Sequence, residues 1–159
     1  MTETPDLEQN PAVAKIRAWR PEAVSGLVFF RGELTVLVPR EHLRPLAEFL
    51  RGDKQLAFTY LSDVTGMDRF PIEPRFELNY HLLSMSRKDS LRLRVALAGD
   101  DPHIETVIPV WPTANWHERE IFDLFGIRFD GHPNLRRMLL PEDWEGYPLR
   151  KDYPTEGPR

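Results

Sequence analysis

Residues 76–97 read FELNYHLLSMSRKDSLRLRVAL, two alternating segments joined by a short polar turn at 87–90. In the first, Phe76, Leu78, Tyr80 and Leu82 occupy every second position; in the second, Leu91, Leu93, Val95 and Leu97 do, with Arg92 and Arg94 between them. A period of two is the strand period, so each segment has one face for a core and one for water. The pair predicts a half-buried antiparallel hairpin, and other elements must cover its apolar face.

Upstream lie the candidates for that cover. Asn10 is placed to cap a helix whose first turn carries Pro11 and whose apolar face holds Ala12, Ile16 and Trp19, with Pro21 as its stop. GLVFFRGELTVLVP, 26–39, reads as a hairpin turning at Arg31 and Gly32. A second helix follows with Leu43, Leu46, Ala47 and Leu50 at helical spacing, Pro45 in its first turn and Gly52 at its end. QLAFTYLSDV, 55–64, predicts a further strand. The order implies an α+β fold, a mixed sheet with antiparallel hairpins and helices packed on one face.

Downstream, TANWHEREIFDLFG, 113–126, predicts a compact helix with Ile121, Phe122 and Phe125 on one side and Gly126 at its C-cap. Beyond it periodicity ends. Residues 127–159 contain five prolines, and Phe129, Leu135, Leu140, Trp144, Tyr147, Leu149 and Tyr153 recur without a period. This predicts a core domain over 1–126 and an extended C-terminal interaction tail over 127–159, too apolar to be a disordered tail.

The chain of 159 residues is 41% hydrophobic and 29% charged, enough for one domain. With no cysteine, it forms no disulfide and builds no cysteine-ligated iron–sulfur or zinc site by itself. A formal net charge of −4 with scattered basic residues argues against nucleic-acid binding. The polar start MTETPDLEQN does not resemble a signal peptide, and no apolar run approaches ~20 residues, so membrane association is expected only through partners. There is no glycine-rich dinucleotide fingerprint, no phosphate loop and no nucleophile in a recognisable setting.

The charged helix invites two readings. Glu118, Glu120 and Asp123 could divide acid and base roles, and His117, three residues before Glu120, could share a metal with it in a stand-alone metal-dependent hydrolase. The structural reading is stronger: Asn115 and Glu118 have the spacing of a capping box, and Arg119 and Asp123 that of an ion pair along a helix. The histidines at 42, 81, 103, 117 and 132 do not cluster. No catalytic residue, cofactor site or metal site is therefore predicted.

The tail itself, WEGYPLRKDYP over 144–154, sets Arg150, Lys151 and Asp152 between Leu149 and Tyr153, an arrangement that suits an aromatic anchor flanked by charge pairs at a protein–protein contact. Proline stiffening lowers the entropy lost on docking.

EREIFDLFGIRFDGHPNLRRMLL followed by PEDWEGYPLRKDYP closely resembles the C subunit, or thirty-kilodalton subunit, of proton-pumping NADH:quinone oxidoreductase, respiratory complex I. The pattern joins Glu118, Arg119, Glu120 and Asp123 to His132, Arg136, Met138 and Leu139 and then to the ending at 144–154; it is dense over 110–154 and looser before, where YLSDVTGMD and the long hairpin also fit. The resemblance implies a peripheral-arm subunit without a cofactor of its own, with FMN and iron–sulfur clusters on other subunits. On that resemblance it would help build the quinone-reducing module beside the quinone-site subunit and the iron–sulfur subunits, on the cytoplasmic face of a bacterial inner membrane. The tail, with Trp144, Tyr147, Leu149 and Tyr153, would then lie across a neighbour, and Arg136, Arg137, Arg150 and Lys151 would meet carboxylates there. Related photosynthetic NAD(P)H dehydrogenase-like and membrane-bound hydrogenase complexes carry equivalent subunits. Some family members are longer or fused to the next subunit, and this chain resembles a separate, compact version.

Overall fold

A computed structural model describes residues 6–157. The first half of the polar N-terminal stretch and the last two residues of the expected tail lie outside them. The hairpin at 76–97 forms as its periodicity requires. Strands β4 (Phe76–Ser84) and β5 (Asp89–Leu97) pair antiparallel, with Phe76 opposite Leu97, Tyr80 opposite Leu93 and Leu82 opposite Leu91. Their apolar face is buried, and Asn79, His81, Arg92 and Arg94 line the other.

Strands β1 (Gly26–Phe30) and β2 (Glu33–Leu37) form the second hairpin. Its turn residues Arg31 and Gly32 both take positive φ, which a tight two-residue turn needs in order to match the strand twist. β2 then pairs parallel with β5, so the sheet is mixed, in the order β1-β2-β5-β4-β3. Helix α1 (Pro11–Trp19) begins where Asn10 accepts the Ala12 and Val13 amides, and buries Ala12, Val13 and Ile16. Helix α2 (Leu43–Gly52) buries Leu43, Leu46, Ala47 and Leu50. The Trp19 and Phe49 rings stack at 4.7 Å, and Lys15 binds Asp53 at 2.7 Å, tying the two helices together.

The strand expected over 55–64 is displaced: β3 spans Tyr60–Asp68. The cause is Asp53, whose carboxylate accepts the Gln55 and Leu56 amides and bends the chain into a turn with Ala57 at positive φ. Leu56 and Phe58 are buried as core residues outside any strand, and the Phe58 carbonyl receives the buried Trp111 indole N–H at 3.1 Å. A second, two-stranded parallel sheet pairs β6 (His103–Glu105) with β7 (Arg128–Asp130). Three residues per strand leave no period to read. β7 buries Phe129, and Ile127 beside it is fully enclosed.

Helix α3 (Ala114–Phe125) lies against β3 on the buried side of the sheet. Gly66 makes that approach feasible: a Cβ there would stand 3.0 Å from the Phe125 ring and 3.5 Å from Ile121. Valine favours strands, yet Gly66→Val is expected to destabilise by about 1–3 kcal/mol because overpacking outweighs propensity. Urea unfolding checks this, and a variant as stable as the parent would contradict the close packing.

Candidate functional site

An α-helix leaves its last four carbonyls without partners inside the helix, and α3 shows where those partners come from. The Phe122 carbonyl accepts from Gly126 N–H, the residue that ends the helix in the left-handed conformation. The Asp123 carbonyl accepts from Arg137 Nη1 at 2.8 Å, the Leu124 carbonyl from Leu149 N–H at 3.1 Å, and the Phe125 carbonyl from Arg150 Nε at 2.6 Å. Three of the four donors belong to the segment after residue 130. The strap completes the capping that Gly126 begins.

Asp123 is the centre of this arrangement. Its side chain is fully buried, and Oδ2 accepts three successive backbone amides, Met138 at 3.0 Å, Leu139 at 2.7 Å and Leu140 at 3.0 Å. Oδ1 accepts Arg137 Nη1 at 2.8 Å, while Arg137 Nη2 donates to the Trp144 and Gly146 carbonyls. Burial alone would raise the Asp123 carboxyl, but the Arg137 and backbone hydrogen bonds outweigh it and hold it below its ordinary range. Tyr147 completes the corner. Its ring packs over Gly126, where a Cβ would come within 2.5 Å of it, and meets Phe122 edge-on.

A second clamp holds the end of the strap. Arg75 donates from Nε and Nη2 to both oxygens of buried Asp68, and from Nη1 and Nη2 to both oxygens of Asp152. Asp68 also takes the Lys151 amide at 2.8 Å. Burial opposes ionisation of Asp68, yet the Arg75 bond and the Lys151 and Phe70 amides hold its carboxyl far below the usual value. The Arg150 guanidinium lies between the Phe76 and Tyr147 rings, 5.2 and 4.9 Å from their centres.

Glu118 points the other way, into the core. Its Oε2 accepts the Thr106 hydroxyl at 2.5 Å and its Oε1 the Val107 amide at 2.9 Å, pinning the loop before α3. Burial pushes this carboxyl up to about 7, against the pull of those two hydrogen bonds and of the Arg44 charge. His132 Nε2 stands 3.9 Å from Oε2 and 3.3 Å from the Asn115 carbonyl, and its Nδ1 accepts the Asn134 amide. Desolvation lowers the His132 pKa, so the approach to Glu118 is that of a neutral imidazole.

Several expectations change here. Glu118 does not close a capping box on Asn115: the N-cap is Thr113, the first amides of α3 bond to the Trp111 and Pro112 carbonyls, and Glu118 is committed to Thr106 and Val107. Arg119 does not pair with Asp123 along the helix; it donates to the Arg136 and Arg137 carbonyls, because Arg137 already occupies the Asp123 carboxylate. Within the chain, Arg137 bonds the Asp123 carboxylate, Arg150 binds a carbonyl and two rings, and Lys151 contributes its amide while its side chain is exposed. Arg136 makes only an exposed 3.8 Å pair with Glu142. Trp144 and Tyr153 are half-buried, and Tyr153 packs on Gly146.

The hydrolase triad does not converge. His117 faces Asp63 at 3.3 Å, Glu118 is enclosed in the core, and Glu120 is exposed with no ion pair or hydrogen bond among the described residues. No group of three or more metal-ligating side chains that could hold an ion forms among the described residues. Arg75 and Asp68 are the functional positions that sequence reasoning missed as such. They meet Lys151 and Asp152 across 77 and 83 residues, a separation with no periodic signal.

Two consequences are measurable. Asp123→Asn leaves the Arg137 charge uncompensated in a poorly solvated site, which costs about 3–5 kcal/mol when a buried pair is broken. Its strap should be cut by protease well before the sheet, and strap cleavage at the parent rate would refute the clamp. For Glu118, the folded state holds the proton more tightly than the unfolded one. That stabilisation is full below about pH 4.5 and is lost as pH rises through about 7. Glu118→Gln should therefore gain on the parent by up to about 3 kcal/mol across that window, and parallel stability curves would contradict the assignment.

The comparisons with known proteins agree with the geometry. A family described as the respiratory-chain NADH dehydrogenase 30 Kd subunit matches residues 36–159. The C subunit of NADH-quinone oxidoreductase from Roseiflexus sp. (strain RS-1) is 45% identical over 148 residues, 93% of this chain and 85% of that protein. The same subunit from Geotalea uraniireducens is 44% identical over 151 residues, 95% of this chain and 91% of its own. Among solved structures, a trypsin-resistant fragment (1–134) of Nqo5 is 34% identical with a TM-score of 0.62, over 69% of this chain and 89% of that one. A chain of a membrane-bound sulfane sulfur reductase, an archaeal respiratory membrane complex, is 26% identical with a TM-score of 0.75, over 90% of this chain and 84% of that one. The chain belongs to the 30 kDa subunit family of respiratory NADH dehydrogenase, the family of the NADH-quinone oxidoreductase C subunit.

Proposed function

We propose that this chain is a cofactor-free subunit of the peripheral arm of NADH:quinone oxidoreductase, on the cytoplasmic face of the bacterial inner membrane. Its strap docks on the neighbouring subunits that hold the quinone site and the iron–sulfur clusters, and FMN sits elsewhere in the assembly. The observation that carries this reading is the contrast between the two sides of the strap. Its backbone is held in one register by Asp123 and Arg75, yet Leu139 and Leu149 remain 58% and 51% exposed. Exposed apolar side chains on a segment already ordered lose little further entropy on binding, which is what a docking surface requires. In this chain no helix among the described residues is long and apolar enough to cross a membrane.

The likeness to the archaeal sulfane sulfur reductase chain supports a second reading, an equivalent subunit in a related respiratory complex. Electron-donor specificity of the purified complex separates the two. For the docking claim, the informative variant is Leu139→Asp combined with Leu149→Asp. Both side chains are exposed, so the thermal midpoint of the isolated chain should stay unchanged. Recovery of the chain in the assembled complex, measured by native gel and NADH:quinone activity, should fall at least ten-fold, since truncating an interface anchor costs on the order of 2 kcal/mol or more. Assembly at parental levels would sink the strap as the docking element.

A further inference from the structure

Beside the strap, a groove runs between the outer edge of β3 and α3. It has a volume of about 360 Å³, with Val64, Gly66, Ile121, Leu124 and Phe125 among its lining and Leu149 of the strap closing one end. β3 is the last strand of the sheet, nine residues long, and no backbone group between 62 and 67 bonds to a segment beyond β4 among the described residues. Edge strands are normally shielded by proline, charged residues, bulges or a covering element; β3 contains no proline or lysine, and its protection is confined to the irregularity between Leu61 and Asp63 and the Asp63 carboxylate, leaving 64–67 open. α3 packs on the buried face of β3, and beside that contact, along the strand edge, the groove stays open.

The rim of the groove decides what fits. Glu120 stands on it exposed, without an ion pair or hydrogen bond among the described residues, and Asp63 stands opposite, with the His117 ring at 3.3 Å and His81 as its ladder partner. A free strand edge calls for an extended segment, the apolar lining for aliphatic side chains at alternate positions, and two under-compensated carboxylates for lysine or arginine between them. An acidic or helical occupant satisfies none of the three.

We infer that the β3 edge and α3 form a strand-docking groove that takes an extended, alternately aliphatic and basic segment of a neighbouring subunit as a sixth strand. The inference rests on the reading of the chain as a subunit and adds a second contact that meets the strap only at Leu149. Occupation would bury the free edge and bring the partner's cations to Asp63 and Glu120, so the complex would be weakened by salt at this contact.

The test uses the assembled complex with a photo-crosslinking amino acid at Thr65 in the groove and, separately, at Leu139 on the strap, followed by sequencing of the joined peptides. The Thr65 probe should capture one extended partner segment containing lysine or arginine. Its yield should fall at least ten-fold in Asp63→Asn/Glu120→Gln while the Leu139 yield holds. A Leu139 adduct without a Thr65 adduct, or a Thr65 adduct to an acidic or helical segment, would overturn the groove and leave the subunit reading standing. Loss of both adducts would overturn both.

Discussion

The buried carboxylate of Asp123 is the constraint on which the C-terminal third of this chain depends. A carboxylate enclosed by protein must be met by donors on every side, and here those are three consecutive amides and a guanidinium, all from the strap. Arg137, once committed to Asp123, spends its remaining donors on the Trp144 and Gly146 carbonyls and so fixes the next turn of chain. That turn places Tyr147 over Gly126 and leads to Leu149 and Arg150, whose donors close the last open carbonyls of α3. An irregular segment without helix or strand thereby acquires a unique conformation. The same network that caps the helix orders the strap.

This explains why a segment with no periodicity carries so specific a pattern of residue types. Arg137 and Arg150 in it satisfy particular backbone carbonyls, and from the helix side Arg119 does the same for the Arg136 and Arg137 carbonyls. A substitution there removes one partner and leaves the other buried and unsatisfied, which costs more than the bond itself contributes. The strap therefore presents Leu139 and Leu149 from a fixed backbone. On the proposed reading, docking relies on rigidity achieved by hydrogen bonding.

What could be read from the sequence is what local rules govern. Asn10 and Pro11 announce α1, Arg31 and Gly32 turn the first hairpin, Gly126 ends α3, and the strict alternation in β4 and β5 fixes their buried face. The rest was set by contacts between distant residues. β3 begins five residues later than its composition implies because the Asp53 side chain bends the chain first. β6 and β7 are too short to show a period, and Glu118 turns inward because Thr106 and Val107 wait for it, not because Asn115 does. The strap was legible as apolar and ordered. That its charges belong to this chain's own Asp123 and Arg75 was not, since nothing local pairs residue 75 with residue 152.

The central claim is that the strap is folded by its own chain before any partner arrives. Hydrogen exchange of the Met138, Leu139 and Leu140 amides in the isolated protein tests it most directly, because all three donate to one buried carboxylate oxygen. The account predicts protection on the order of that in the central strands, lost together with them as a cooperative unit. Exchange of these three amides at the rate of an unstructured peptide, with the sheet still protected, would contradict it.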